Sequence, residues 1–348
     1  MPERVVAFIV LGLVGLLGTL SLAIPADRTV VSGLLIATFG VGSLAVALWM
    51  SIRTKPVQWI PTVAWTTLLM LAFFIVGAGL DWIKDAPMDP DYKPGLAKKP
   101  PEFIFCEGYT KSWIQQPIST WTDLAFVLSG LGLMLIASLR SGPSSNGNPT
   151  DPPILRTGSW IPFLYSAVVV YMGPGSMYFH ASLKSWAGWC DAFSISNWAA
   201  FGLGYTTWRL CHTHPRVGDN CWPLLVVWLG VAIPAGVLSA VTGDGRTVLM
   251  ICVALWVLLE FGLMLIVGVF WIKKQQNPLQ IHRSGWWLVA CTLAFLAAFG
   301  CWIPSGGVTR IWCNPNAALQ GHGFWHVFAA TGTFIVFGLW GSERRRAA

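Results

Sequence analysis

The stretch TVLMICVALWVLLEFGLMLIVGVFWI, residues 247–272, decides how the rest of the chain is read. Apart from Glu260 it carries no charged side chain, and it exceeds the run of about 20 apolar residues that a helix needs to cross about 30 Å of hydrocarbon. Nine further runs meet the same test. The predicted spans are roughly 5–24, 30–52, 60–80, 118–139, 160–180, 186–210, 222–241, 247–272, 286–304 and 317–341. The expected fold is therefore all-α, a polytopic membrane protein of about ten transmembrane helices.

Composition agrees with that reading. Hydrophobic residues make up 55% of the 348, charged ones 11%, and mean hydropathy is +0.61, too apolar for an ordinary soluble domain. Val5 to Ile24 resembles a signal peptide in position only. Its apolar run is long and lacks a small-x-small cleavage site, so it reads as a retained span. The net charge of +7 comes from bases scattered among loops and from Arg344-Arg345-Arg346, without the aromatic-interleaved basic stripe that nucleic acid requires. The bilayer is the expected partner, and no nucleic acid is.

The gaps between spans are short and rich in turn residues, as in Ser141-Gly142-Pro143 and Thr242-Gly243-Asp244-Gly245. The exception runs from Asp81 to Pro117. It divides the chain into a three-helix membrane extension (1–80), an exoplasmic loop (81–117) and a seven-helix core (118–341). With the N-terminus inside, 13 of the 22 Lys and Arg collect on the cytoplasmic side, Arg209 and Arg283 among them, which predicts an N-in, C-in topology. The clustering of tryptophans at span ends, such as Trp286-Trp287 and Trp312, marks an aromatic belt.

Polar residues at membrane depth are costly unless paired, so each one is a functional hypothesis. The last span opens with Asn314-Pro315, which reads as a cap followed by a first-turn proline, and then presents His322 and His326. Spaced i and i+4, the two imidazoles share a helix face and can reach one metal. Two such histidines can equally be held by backbone carbonyls; a third changes the balance. His180 ends the fifth span after Gly173-Pro174-Gly175, Ser176 lies one turn earlier on the same face, and Asp191 follows early in the sixth span. Counting alternations puts Ser176, His180, Asp191, His322 and His326 near the same non-cytoplasmic face. Three neutral imidazoles with an open fourth position is the arrangement of a catalytic zinc, which lowers the pKa of a bound water to about 7.

His212, His214 and His282 read as solvated loop residues. Asp123 and Glu260 are acids at membrane depth, and for Glu260 a structural hydrogen bond is expected ahead of catalysis. Of the eight cysteines none forms a C-x-x-C pair. Cys106 and Cys313 fall on the same non-cytoplasmic side, where oxidation is permitted, and are expected to form a disulfide.

The segments Phe105-Cys106-Glu107-Gly108-Tyr109, Gly175 to Leu183, Asp191 and Gly321-His322-Gly323-Phe324-Trp325-His326 resemble the alkaline ceramidase family, within the superfamily of seven-helix membrane hydrolases that includes the adiponectin and progestin receptors. The likeness covers about residues 104–341. It implies zinc held by His180, His322 and His326, with Asp191 orienting and deprotonating the zinc-bound water and Ser176 holding that water or the developing oxyanion. It implies cleavage of the amide bond of a ceramide-like lipid. The family's calcium site is doubtful here, because its Glu-x-Asn stretch reads Glu107-Gly108-Tyr109 and Gln116 stands where a second carboxylate is expected. The rival readings are an acyl-ester lipid hydrolase and a seven-helix lipid receptor or sensor with a structural zinc. A transporter would need discontinuous helices or charged pathways in paired halves, and neither is present in the sequence.

Overall fold

In hydrocarbon every backbone N–H and C=O needs an internal partner, and long apolar runs meet that demand as helices. A computed structural model of the chain shows this outcome, and it describes residues 60–82, 105–108, 114–140, 152–155, 160–212, 214, 217–218, 220–272, 281–307, 311–315, 317 and 319–345. The predicted spans 5–24 and 30–52 and most of the long loop lie outside the described residues. The helices are α1 (Ile60–Trp82), α2 (Pro117–Thr122), α3 (Leu124–Arg140), α4 (Ile161–Ser182), α5 (Ser185–Cys211), α6 (Trp222–Thr242), α7 (Gly245–Ile272), α8 (Gly285–Trp302) and α9 (Gly321–Gly341). Two-residue strands β1 (Ile281–His282) and β2 (Arg344–Arg345) pair antiparallel. Among the described residues five stretches are long and apolar enough to cross a membrane: Pro117–Ser138, Trp222–Thr242, Gly245–Val269, Gly285–Ser305 and Gly321–Gly341. They fit a multi-pass membrane protein.

Around the bundle α3 packs on α4, α4 on α5, α5 on both α6 and α7, while α8 packs on α9 and α9 returns to α3. Helix α1 lies against α4, where the Trp65 indole donates to the Ala167 carbonyl at 3.3 Å. Missing Cβ atoms set the closest approaches. A Cβ on Gly130 would come within 2.8 Å of the Ser166 carbonyl, and one on Gly175 within 2.9 Å of Ser194 Cβ, so α4 sits nearly backbone to backbone with both neighbours. The outer faces of α6, α7 and α8 stay apolar and uncovered: Leu258 is 70% exposed and Leu293 60%, which suits contact with lipid and not water.

The fourth predicted span holds as one candidate crossing, Pro117–Ser138, interrupted only at Asp123 between α2 and α3, where the backbone keeps helical φ and ψ. Two readings from the sequence differ from the structure, the start of the last helix and the surroundings of His212. The last helix starts at Gly321 and not near 317, and Asn314-Pro315 does not cap it. The Gln320 side chain instead donates to the carbonyls of Asn314, Pro315 and Ala317 at 2.8–3.4 Å, and Gly108 N–H donates to the Pro315 carbonyl at 3.0 Å. Those partners hold the segment as a loop. His212 is also buried, not solvated, with Nδ1 2.6 Å from the Arg209 carbonyl.

Arg209 and Arg283 point inward as well. Arg209 Nε donates to Glu343 at 2.7 Å, Arg283 Nε donates to the other oxygen of Glu343 at 3.1 Å, and Arg283 pairs with Glu260, which also accepts from Thr206 Oγ1 at 2.5 Å. The β1–β2 pairing brings Arg283 and Glu343 to one place, and two arginines then balance two glutamates. The structural role expected for Glu260 is what its partners give it. Burial opposes ionisation of Glu343, yet Arg283 and Arg209 outweigh it and hold the carboxyl below its ordinary range. A folded-state value lowered in this way contributes stability above about pH 4.3 that is lost as pH falls through it. In detergent, Arg283→Met should therefore destabilise the protein by about 3–5 kcal/mol, since it strands buried carboxylates. The wild-type melting temperature should also drop on acidification below about pH 4, less steeply in Glu343→Gln. A wild-type melting temperature in Arg283→Met contradicts this account of the cluster.

Candidate metal centre

The centre is assembled from the chain that precedes α2. Glu107 is buried, and its two carboxylate oxygens accept the orphan amides of Ile118 (2.7 Å) and Ser119 (2.8 Å) in the first turn of α2. Pro117 occupies the first helical position, where no N–H is needed. Cys106 and Cys313 are disulfide-bonded with Cα atoms 5.3 Å apart, as expected, so this segment is tied to the loop before α9. Phe105 and Cys106 have positive φ angles of 55° and 73°. Phe105 lies with its ring parallel to that of His322, centroids 4.1 Å apart.

Gln116 then determines which way His180 faces. Its Nε2 donates to the Glu107 carbonyl at 3.0 Å, which leaves Oε1 toward His180 Nδ1 at 2.9 Å. An amide oxygen can only accept, so Nδ1 carries the proton and Nε2 keeps a lone pair. The same logic holds on α9. His326 Nδ1 is 3.1 Å from the Ser119 carbonyl and 3.2 Å from Asp123 Oδ1, both acceptors, with Thr122 Oγ1 at 2.9 Å. Its proton is on Nδ1 too. His322 Nε2 approaches His180 Nε2 at 3.2 Å, and all three rings are buried.

The structure thus brings together the three histidines expected as ligands, each offering one nitrogen within 4.8 Å of the others. Two lone pairs are locked inward and only His322 has a proton to place among three nitrogens. Such a donor set fits a cation, and three neutral imidazoles fit zinc. Among the described residues it is the only group of three or more His, Cys, Asp and Glu side chains found close enough to hold a metal ion.

Ser176, one turn before His180, faces two carboxylates, those of Asp191 and Asp123. Asp191 belongs to the expected set. Asp123, noted from sequence only as an acid at membrane depth, was not assigned to the site, and neither were Gln116, Thr122 and Phe105. Folding brings the Asp123 side chain to His326 on α9, and no spacing in the sequence reveals that contact.

A family model described as Ceramidase matches residues 104–342. The chain belongs to the ceramidase family. Membership makes it a hydrolase acting on lipid amides, and the matched region of this ceramidase-family chain runs from just before Phe105 to just past α9, with α1 outside it. No curated protein and no solved structure matches the chain.

The remaining cysteines, Cys190, Cys211, Cys221, Cys252, Cys291 and Cys301, are free thiols. Alkylating the denatured protein without reductant should therefore modify six of the eight, and all eight after reduction, as read by intact mass. Eight modifications without reductant would show that the tie between Cys106 and Cys313 does not form.

Proposed function

We propose that the protein is a zinc-dependent ceramidase, cleaving the amide bond of a ceramide-like lipid at a centre made by His180, His322 and His326. The observation that carries the reading is the pair of inward lone pairs on His180 and His326, each locked by an acceptor behind its ring. When bound there, zinc supplies Lewis acidity, activating water toward deprotonation and polarising an acyl carbonyl.

Asp191 is the general base. It lies beside Ser176, one turn from the ligand His180, and takes the proton of the attacking water before handing it to the leaving amine nitrogen. Ser176 keeps Asp191 oriented, and on rotating its hydroxyl it donates to the oxygen on which charge develops. Phe105 closes one side of the site against water.

Lipid access is supported by the helix arrangement. Among the described residues the consecutive helices α7 and α8 make almost no backbone contact, which suits entry of an acyl chain between them. At the metal end Arg246 bridges that gap by stacking on Trp302 at 4.9 Å. The ion cluster of Arg209, Arg283, Glu260 and Glu343 lies toward the other end of α9, and an N-in, C-in topology puts the metal centre near the non-cytoplasmic face, at the depth of a lipid amide.

The purified protein should contain about one zinc per chain and release fatty acid from ceramides, with release abolished by a chelator and restored by zinc. Asp191→Asn should keep the metal and lose most turnover, His322→Ala should lose both, and Ser176→Ala should keep the metal and lose about two orders of magnitude. Wild-type turnover by Asp191→Asn removes the general-base role. Preferential release from phospholipids makes the protein an ester hydrolase, and zinc-loaded protein that cleaves no lipid makes it a receptor.

A further inference from the structure

We propose that Asp123 is a positioning residue of this metal centre, holding the His326 ring in its ligating orientation and joining it through Ser176 to Asp191. The inference rests on the metal reading of the three histidines and adds a residue to it.

Asp123 is fully buried at the turn between α2 and α3, in the middle of an apolar stretch. Among the described residues neither of its oxygens has a well-aligned hydrogen-bond partner. What they do approach is functional: Oδ1 lies 3.2 Å from His326 Nδ1, and the carboxylate faces the Ser176 hydroxyl on α4. A buried carboxylate without a firm partner is expensive, and one kept for packing alone would be replaced at no loss by an apolar side chain of similar size.

The surroundings press it into that place. A Cβ on Gly173 of α4 would come within 3.0 Å of the Asp123 carbonyl, so α4 lies directly against the turn. His326 Nδ1–H meets three acceptors, of which the Ser119 carbonyl and Thr122 Oγ1 are neutral. Only Asp123 is an anion. A carboxylate behind a metal-bound imidazole raises the basicity of the ligating nitrogen and fixes the ring, an effect neutral acceptors produce more weakly. Charge points the same way. Asp123 and Asp191 together balance one divalent ion, and among the described residues His326 is the only basic side chain paired with Asp123. One hydroxyl, that of Ser176, faces both acids, which puts the carboxylate behind His326 and the one on α5 on the same side chain.

The test is a zinc titration against a competing chelator on metal-stripped, detergent-solubilised full chain, comparing wild type with Asp123→Asn, Asp123→Ala and Ser176→Ala, together with the melting temperature of each metal-free protein. The zinc dissociation constant should weaken by about 10- to 100-fold in both Asp123 variants, more in Asp123→Ala, and by no more than about twofold in Ser176→Ala. Metal-free melting temperatures should not fall in the Asp123 variants, because removing a poorly partnered buried acid relieves the fold. Affinity unchanged in both Asp123 variants overturns the assignment while leaving the metal reading intact. So does a metal-free melting temperature that falls in step with affinity, which would mark Asp123 as a folding residue. A wild-type protein that binds no zinc removes the metal reading, and this assignment with it.

Discussion

Two imidazole nitrogens whose lone pairs are locked toward the same small space repel one another unless a cation lies between them, and the packing at this end of the bundle is arranged to hold them there. Each lock is made by a different element. Gln116, fixed by the Glu107 carbonyl, turns His180 on α4. The Ser119 carbonyl and the Asp123 carboxylate, at the two ends of α2, turn His326 on α9. Helix α2 has only six residues, yet it and the residues flanking it orient two of the histidines, and it is itself held by the Glu107 carboxylate on its first amides and by the Cys106–Cys313 bond. The segment 105–123 thus acts as the back wall of the centre.

The polar residues described within the bundle gather mainly toward its two ends. At one end three buried imidazoles that could hold a metal ion gather beside two carboxylates. Toward the other, two arginines and two glutamates satisfy one another without any ligand. Between them aromatic packing dominates, with Tyr205 stacked on Trp340 at 4.2 Å and Trp198 edge-on to Trp256 at 4.7 Å. The contrast has a physical meaning. A self-neutral ion cluster is a clamp that fixes helix ends, whereas an arrangement left short of positive charge is a binding site.

Much of this was legible in the sequence because the bilayer simplifies the problem. Apolar runs of spanning length became α1 and α3–α9, and alternating sides correctly grouped His180, His322, His326 and the cysteine pair. Legibility ended where a side chain's partner comes from a distant segment. Gln116 read as a departure from a calcium pattern, and its bond to a histidine 64 residues away has no local signature. Arg209 and Arg283 counted as surface charges because Glu343 and Glu260, which neutralise them, are brought close only by folding. The late start of α9 was hidden by Gln320, which satisfies loop carbonyls that a helix would otherwise take up.

X-ray absorption at the zinc edge of the purified, detergent-solubilised protein tests the central claim most directly. Three imidazole nitrogens and one lighter oxygen donor at about 2.0–2.1 Å are expected, falling to two imidazoles or to no bound metal in His180→Ala. Sulfur ligands at about 2.3 Å, or a wild-type spectrum that His180→Ala leaves unchanged, would place the metal elsewhere and contradict the account.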